Sequence, residues 1–71
     1  MARKSKFAQQ IRDARQRRRL SVAQLADLLG VSKAAIYFWE TDRVRPRPQN
    51  LTDLCRALKL PIRATRDLAA I

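Results

Sequence analysis

The sequence is poor in the residues from which catalytic and metal sites are built. Its 71 residues include no histidine and one cysteine, Cys55. A single cysteine allows no internal disulfide, and no cluster of cysteine and histidine offers a zinc site. The six acidic residues are scattered along the chain, so no base and nucleophile are paired for catalysis. We therefore predict a protein that is not an enzyme and that binds no metal or cofactor.

Long apolar runs are also missing from the chain. No stretch approaches the ~18 apolar residues that a membrane-spanning helix requires. The basic N-terminal residues, Met1 to Lys6, are followed by further charged residues, whereas a signal peptide would continue with an apolar stretch. An unpaired thiol such as Cys55 suits a reducing compartment. We expect a cytoplasmic protein with no membrane partner.

Positive charge, in contrast, is abundant. Lysine and arginine together number 16 against 6 acidic residues, which gives a formal net charge of +10 and an isoelectric point near 11.5. Such a balance favours a polyanionic partner. A membrane surface is the rival polyanion, but no segment combines a wide apolar face with a basic one. The charge therefore indicates a nucleic acid.

The distribution of apolar residues predicts an all-α fold. Extended alternating runs rich in Val, Ile and Thr are absent from the sequence, which argues against strands. Helical spacing and capping residues predict five helices, of which the first runs from about 6 to 18 and the others begin near Ser21, Ser32, Pro48 and Pro61. A chain of this length holds one small core. We expect residues 1–5 to form a flexible basic arm and residues 6–71 a single domain.

The segment between the first and fourth helices has the pattern of a helix-turn-helix. Ser21 followed by Gln24 is a capping box, in which the hydroxyl and the amide side chain each satisfy a free backbone group. Gly30 supplies the left-handed conformation that ends the second helix at little steric cost. Ser32 then caps the third helix, which we expect to end near Glu40 or Thr41.

The third helix has two distinct faces when its residues are placed 100° apart. Ala35, Ile36 and Trp39 fall on one side, which we expect to face the core. The opposite side carries one cation, one methyl group and two aromatic rings, from Lys33, Ala34, Tyr37 and Phe38. Because two adjacent exposed aromatic side chains mark a contact surface, this face is the candidate for reading a sequence of bases.

Each outward residue type has a use in the DNA major groove. Lys33 can donate to guanine O6 or N7, and Ala34 can pack on a thymine methyl group. Tyr37 can donate from its hydroxyl, whereas Phe38 offers apolar contact alone. Two alternatives stay open: Phe38 folds beneath the loop around Val44, or Lys33 meets only solvent or a phosphate.

The basic residues that follow the third helix are the candidate phosphate contacts. Arg43, Arg45 and Arg47 flank the outward face of that helix. Asn50 and the exposed N-terminus of the fourth helix can assist, because free backbone N–H groups attract phosphate.

A set of motifs runs through most of the chain in a fixed register. They are Ile11-x-x-Ala-Arg15, Leu20-Ser21, Leu25-Ala26, Leu29-Gly30-Val31-Ser32, Ile36-x-x-Trp39-Glu40, Pro46 and Asn50-Leu51-x-x-Leu54-x-x-Ala57-Leu58. By these residues the chain resembles the Cro/repressor (Xre) family of helix-turn-helix domains, which includes lambdoid phage repressors and Cro proteins. The resemblance implies a compact, lambda-repressor-like five-helix bundle whose third helix enters the major groove of double-stranded DNA.

The resemblance also implies roles for individual residues. By motif position it places base contacts at Lys33, Ala34, Tyr37 and Phe38. It implies contacts to the DNA backbone around the starts of the second and third helices, at Ser21, Val22, Gln24 and Ser32. It further implies an ion pair between Arg15 and Glu40 that joins the first helix to the third, with two independent solvated charges as the alternative.

Two positions depart from the family pattern. Val22 stands where relatives often have a glutamine that braces a base contact, and valine cannot supply that hydrogen bond. Asp42 stands where relatives often have a glycine in the turn after the third helix. Aspartate tolerates the left-handed conformation better than most residues, so we expect the turn to persist at a small cost.

Apolar residues near the C-terminus suggest a homodimer on DNA. They are Leu60, Ile62, Leu68 and Ile71, and the alternative is that they only seal the domain's own core. A symmetric dimer would read two half-sites ~10 base pairs apart. We therefore expect a transcriptional regulator, a repressor that occupies a palindromic operator. Two alternatives are an antitoxin or related regulator that holds a protein partner, such as a toxin, and a protein that coats nucleic acid by charge alone.

Overall fold

The computed structural model describes residues 5–70, and this part of the chain is helical with no strand. Its five α-helices are α1 Lys6–Arg17, α2 Val22–Leu29, α3 Lys33–Glu40, α4 Pro48–Leu58 and α5 Ile62–Ala69. The all-α prediction is confirmed, as are five helices at the expected places. The proposed N-terminal arm, apart from Ser5, and Ile71 lie outside the described residues.

Serine side chains begin the first three helices. Ser5, Ser21 and Ser32 each accept a hydrogen bond from the backbone N–H three residues ahead, at 3.1, 3.0 and 3.1 Å. At α2 the capping box is complete, because the Gln24 side-chain oxygen also accepts from the Ser21 backbone N–H at 2.8 Å. These bonds satisfy donors that a helix start would otherwise leave without partners.

Gly30 ends α2 in the left-handed conformation, with φ of 68°. The chain then turns within two residues, Val31 and Ser32, into α3, and the two helices pack against each other. Arg19, Asp42 and Lys59 adopt the same conformation, with φ of 56°, 64° and 54°. The prediction for Gly30 is therefore confirmed, and the turn at Asp42 persists as expected. No local sequence pattern marks the left-handed residues that follow α1 and α4, Arg19 and Lys59.

The core collects apolar side chains from α1 to α4. Phe7 and Ile36 are fully enclosed, and Trp39 is 4% exposed. The other buried members are Ile11, Ala14, Leu25, Ala26, Leu51, Leu54, Cys55 and Leu58. Helix α2 packs on α3 and α4, while α1 packs on α3, α4 and α5. Burial of one stripe on each helix is the main favourable term in holding such a bundle together.

Helix α5 closes the bundle with a smaller contact. Thr65 is its one fully buried side chain, and Leu68 and Ala69 are half-buried against the core. Cys55 faces Thr65 across the contact between α4 and α5, and burial raises the pKa of the Cys55 thiol. Among residues 5–70, no helix is long and apolar enough to cross a membrane.

Candidate nucleic-acid interface

An ion pair between α1 and α3 fixes the back of the third helix. Arg15 Nε donates to Glu40 Oε2 at 2.7 Å, and Arg15 Nη2 donates to Glu40 Oε1 at 3.1 Å. Arg15 Nη1 also donates to the Leu20 carbonyl oxygen at 2.9 Å, which ties in the turn before α2. Hydrogen bonding to Glu40 raises the pKa of Arg15. The two residues paired by sequence reasoning are thus brought together at a site where Glu40 is 5% exposed.

The outward face of α3 is open to solvent. Tyr37 is 56% exposed and Phe38 is 40% exposed, and Lys33 and Ala34 beside them are also exposed. Ile36 and Trp39 point the other way, into the core. The structure therefore presents all four predicted base-reading residues together on one short helical surface.

The loop after α3 is bound to the end of that helix through its backbone. The Phe38 carbonyl oxygen accepts from the backbone N–H groups of Arg43 at 2.9 Å and Val44 at 3.3 Å. The side chains of Phe38 and Val44 nevertheless stay exposed, at 40% and 51%. Phe38 thus lies next to the loop and still offers its ring to a partner.

The starts of α2 and α3 present capping groups at the surface. The Ser21 and Ser32 hydroxyl oxygens accept backbone N–H bonds, which leaves each hydroxyl hydrogen able to donate outward. Gln24 uses its side-chain oxygen in the capping box, so its side-chain nitrogen can donate a hydrogen bond to a partner. Val22 is different, because it is half-buried and packs against the core.

The three arginines of the loop have different surroundings. All three are exposed, but Arg45 is held by contacts within the domain. Arg45 Nη1 lies 3.3 Å from Asp42 Oδ1 and donates to Ser5 Oγ at 3.3 Å. Its guanidinium carbon is also 5.4 Å from the centroid of the Phe7 ring, within the range of a cation–π contact. Sequence reasoning grouped these three residues as equals, and the structure separates Arg45 from the other two.

Asp42 and Ser5 form a contact that sequence reasoning missed. Both Ser5 N–H and Ser5 Oγ donate to the Asp42 carboxylate, the latter at 2.8 Å. The backbone N–H of Ser5 is the main cause of a pKa for Asp42 below its ordinary value. The two residues are 37 positions apart, and no local pattern marks a contact of that range. Arg12 was not among the predicted site residues either, although it lines the same surface hollow as Tyr37 and Thr41.

The start of α4 is open to an anion. Arg47 is the N-cap residue and makes no capping hydrogen bond with its side chain, and Pro48 is the first helical residue. Asn50 lies half-buried in the first turn. The backbone N–H groups of this turn, with Arg47 beside them, therefore form a suitable place for a phosphate.

The predicted dimer residues have unequal exposure. Leu60 and Leu68 are half-buried and pack against the core, whereas Ile62 is 40% exposed at the start of α5. Ile71 lies outside the described residues. Leu60 and Leu68 therefore help to close the core, and Ile62 is the predicted dimer residue whose side chain is exposed.

Comparison with known proteins places this arrangement in a family. The helix-turn-helix domain family matches residues 6–69, nearly the whole chain. This chain belongs to the helix-turn-helix family. Its resemblance to regulators of the Cro/repressor type is confirmed by solved structures. Among curated protein sequences, none matches the chain.

Two solved structures resemble this helix-turn-helix domain in sequence as well as in fold. The DNA-binding domain of the P22 C2 repressor has a TM-score of 0.80 and 29% identity, over 93% of this chain and 86% of that one. The restriction-modification controller protein C.AhdI from Aeromonas hydrophila has a TM-score of 0.78 and 28% identity, over 86% of this chain and 92% of that one.

A third structure shares the fold alone. The clp gene regulator ClgR from Corynebacterium glutamicum has a TM-score of 0.77 and 22% identity, over 90% of this chain and 68% of that one. The two neighbours of higher identity are a DNA-binding repressor domain and a controller protein, not enzymes, which agrees with the prediction against catalysis.

Proposed function

We propose that this helix-turn-helix protein is a sequence-specific repressor that binds double-stranded DNA with α3 in the major groove. The observation that carries the proposal is the outward face of α3, where Lys33, Ala34, Tyr37 and Phe38 are exposed together. Two exposed aromatic rings beside a cation are unusual on a solvated helix and suit contact with base edges.

The surroundings of this face fit a DNA backbone. Arg43 and Arg47 are exposed on the loop that follows α3, and the open N-terminus of α4 adds backbone donors. The capping groups of Ser21 and Ser32, with Gln24, lie at the starts of the two helices. In the proposed complex these groups contact phosphates and fix the register of α3, whereas the face of α3 reads the sequence.

The operator that we propose is an inverted repeat read by a homodimer. One domain of this size covers only a few base pairs, and two half-sites related by symmetry multiply its specificity. Ile62, which is 40% exposed at the start of α5, is the best placed of the predicted dimer residues to contact a second copy. A protein occupying such a site in the cytoplasm would block access of a polymerase.

The proposal is tested by selection from a random pool of double-stranded DNA at ~150 mM salt, where charge attraction is partly screened. We expect enrichment of an inverted repeat with half-sites ~10 base pairs apart. A lack of enrichment, with binding that disappears as salt rises, would contradict sequence-specific recognition. In that event the aromatic face of α3 would be tested for a protein partner, as an antitoxin would require.

A further inference from the structure

Two segments of the chain, the start of α1 and the loop after α3, meet at the carboxylate of Asp42. The N-cap residue of α1, Ser5, donates to it from its backbone N–H and its hydroxyl. Arg45 lies 3.3 Å from the same carboxylate and from Ser5 Oγ. The Ser5 hydroxyl therefore donates to Asp42 and accepts from both Ala8 N–H and Arg45, which uses its full hydrogen-bonding capacity.

This cluster is tied to the end of the third helix. Asp42 has a left-handed backbone two residues after α3 ends. The next two N–H groups, of Arg43 and Val44, donate to the Phe38 carbonyl oxygen. The Arg45 guanidinium also lies over the ring of Phe7, which is fully buried. The guanidinium therefore contacts both a buried ring and a carboxylate, and 37% of the Arg45 side chain is exposed.

From this geometry we infer that Asp42 is a positioning residue for DNA binding. It holds Arg45 in place beside the end of α3, so that the guanidinium meets a DNA phosphate already ordered. The inference rests on the proposed function and assigns a task to a residue with the same charge as DNA. Ordering a long side chain at an interface costs free energy, and Asp42 removes that cost before the complex forms.

Charge and positioning make opposite predictions for the loss of Asp42. By charge alone, removal of a carboxylate beside a phosphate-binding loop strengthens DNA binding. By positioning, the same removal weakens binding, because Arg45 is no longer held by Asp42. The sign of the change therefore decides between the two accounts.

The experiment compares Asp42→Gly and Asp42→Asn with the unsubstituted chain on the selected duplex, at several salt concentrations. Glycine keeps the left-handed turn and removes every acceptor, whereas asparagine tolerates the turn and keeps one acceptor oxygen. We expect roughly tenfold weaker binding for glycine and roughly threefold for asparagine. For Asp42→Gly the slope of log K against log salt falls by about 1 although the net positive charge rises.

Two controls isolate the role of Asp42. Asp13→Asn removes the same charge from an exposed position of α1, and we expect it to leave binding unchanged or slightly tighter. In an Arg45→Ala background, Asp42→Gly has little further effect, because the two residues act as one unit. Thermal unfolding of each free variant establishes that it is folded at the temperature of the binding assay.

Binding by Asp42→Gly that equals or exceeds that of the unsubstituted chain would overturn the inference. A full effect of Asp42→Gly in the Arg45→Ala background would also overturn it, because Asp42 would then act by another route. If the unsubstituted chain prefers no DNA sequence, the proposed function fails together with the inference. The behaviour of the unsubstituted chain thus separates the two failures.

Discussion

Single side chains carry the two tasks of recognition that we assign to this domain. Lys33 and Tyr37 lie on the exposed face of α3, and Arg43 lies on the loop that follows this helix. Base edges differ from one sequence to another, whereas phosphates do not. The same truncation therefore has a different signature at the two kinds of position.

Lys33→Ala and Tyr37→Ala are expected to relax the preference at particular base pairs of the selected site. The loss of discrimination is about 1–3 kcal/mol at those positions. Competition binding against a panel of single-base variants of the site measures it. Equal weakening on every sequence after Lys33→Ala would show that Lys33 reads no base.

Arg43→Ala is the matched comparison for those variants. We expect it to weaken all sequences alike and to reduce the salt slope by about 1. A changed base preference in Arg43→Ala would reverse the roles that we assign to the helix and the loop.

The pair of Arg15 and Glu40 makes a prediction about stability. Their side chains are 13% and 6% exposed, so loss of one partner leaves a charge poorly solvated. We expect Arg15→Met or Glu40→Leu alone to cost about 2–3 kcal/mol, and the double substitution to cost less than either. Urea denaturation of the four proteins closes the cycle. If the loss of unfolding free energy in the double variant equalled the sum of the two single losses, Arg15 and Glu40 would be two independent charges.

At the scale of the helices, the sequence was informative where the structure depends on neighbouring residues. The start and end of α2 and the start of α4 were predictable, because they depend on residues within one helical turn. These residues are Ser21 with Gln24, Gly30 and Pro48. The contact of Ser5 with Asp42 joins residues 37 positions apart, and it exists only because α1 packs against α3. The unequal surroundings of the loop arginines follow from the same packing and were not predictable from sequence.

The ends of α2 and α4 provide a test of backbone strain. Both Gly30 and Lys59 are left-handed, and a Cβ added at Gly30 would meet nothing within 4 Å. Gly30→Ala is therefore expected to cost about 1 kcal/mol from backbone conformation alone. Lys59→Gly is expected to be about 1 kcal/mol more stable than Lys59→Ala, which removes the same charge. Thermal or urea unfolding measures both, and a Lys59→Gly no more stable than Lys59→Ala would contradict the strain.

At the scale of the whole molecule, the proposed dimer makes a prediction about cooperativity. Binding to one half-site needs only one copy of the domain, whereas cooperative binding to the inverted repeat needs contact between two copies. Ile62 is 40% exposed, whereas Leu60 and Leu68 are half-buried and pack against the core, so we expect a change at Ile62 to leave the fold intact. We expect Ile62→Glu to bind a single half-site normally and to lose cooperative binding to the inverted repeat. Titration of both duplexes by gel shift measures the difference.

Leu28→Glu is the matched control for that prediction. Leu28 is 64% exposed on α2, so the substitution places the same charge at another apolar surface position. We expect cooperativity to be unchanged. Loss of cooperativity in both variants would point to added negative charge as the cause, and retention in both would move the dimer contact away from Ile62.

The two faces of α3 also divide the optical signals of the protein. Trp39 is the one tryptophan of the chain and lies 4% exposed in the core, whereas Tyr37, the one tyrosine, is 56% exposed on the opposite face. Indole emission therefore reports whether the core is intact, and phenol absorbance of the free protein reports whether the outward surface is exposed. The state of the core and the exposure of the outward face can be followed separately in one unlabelled sample, from side chains two residues apart.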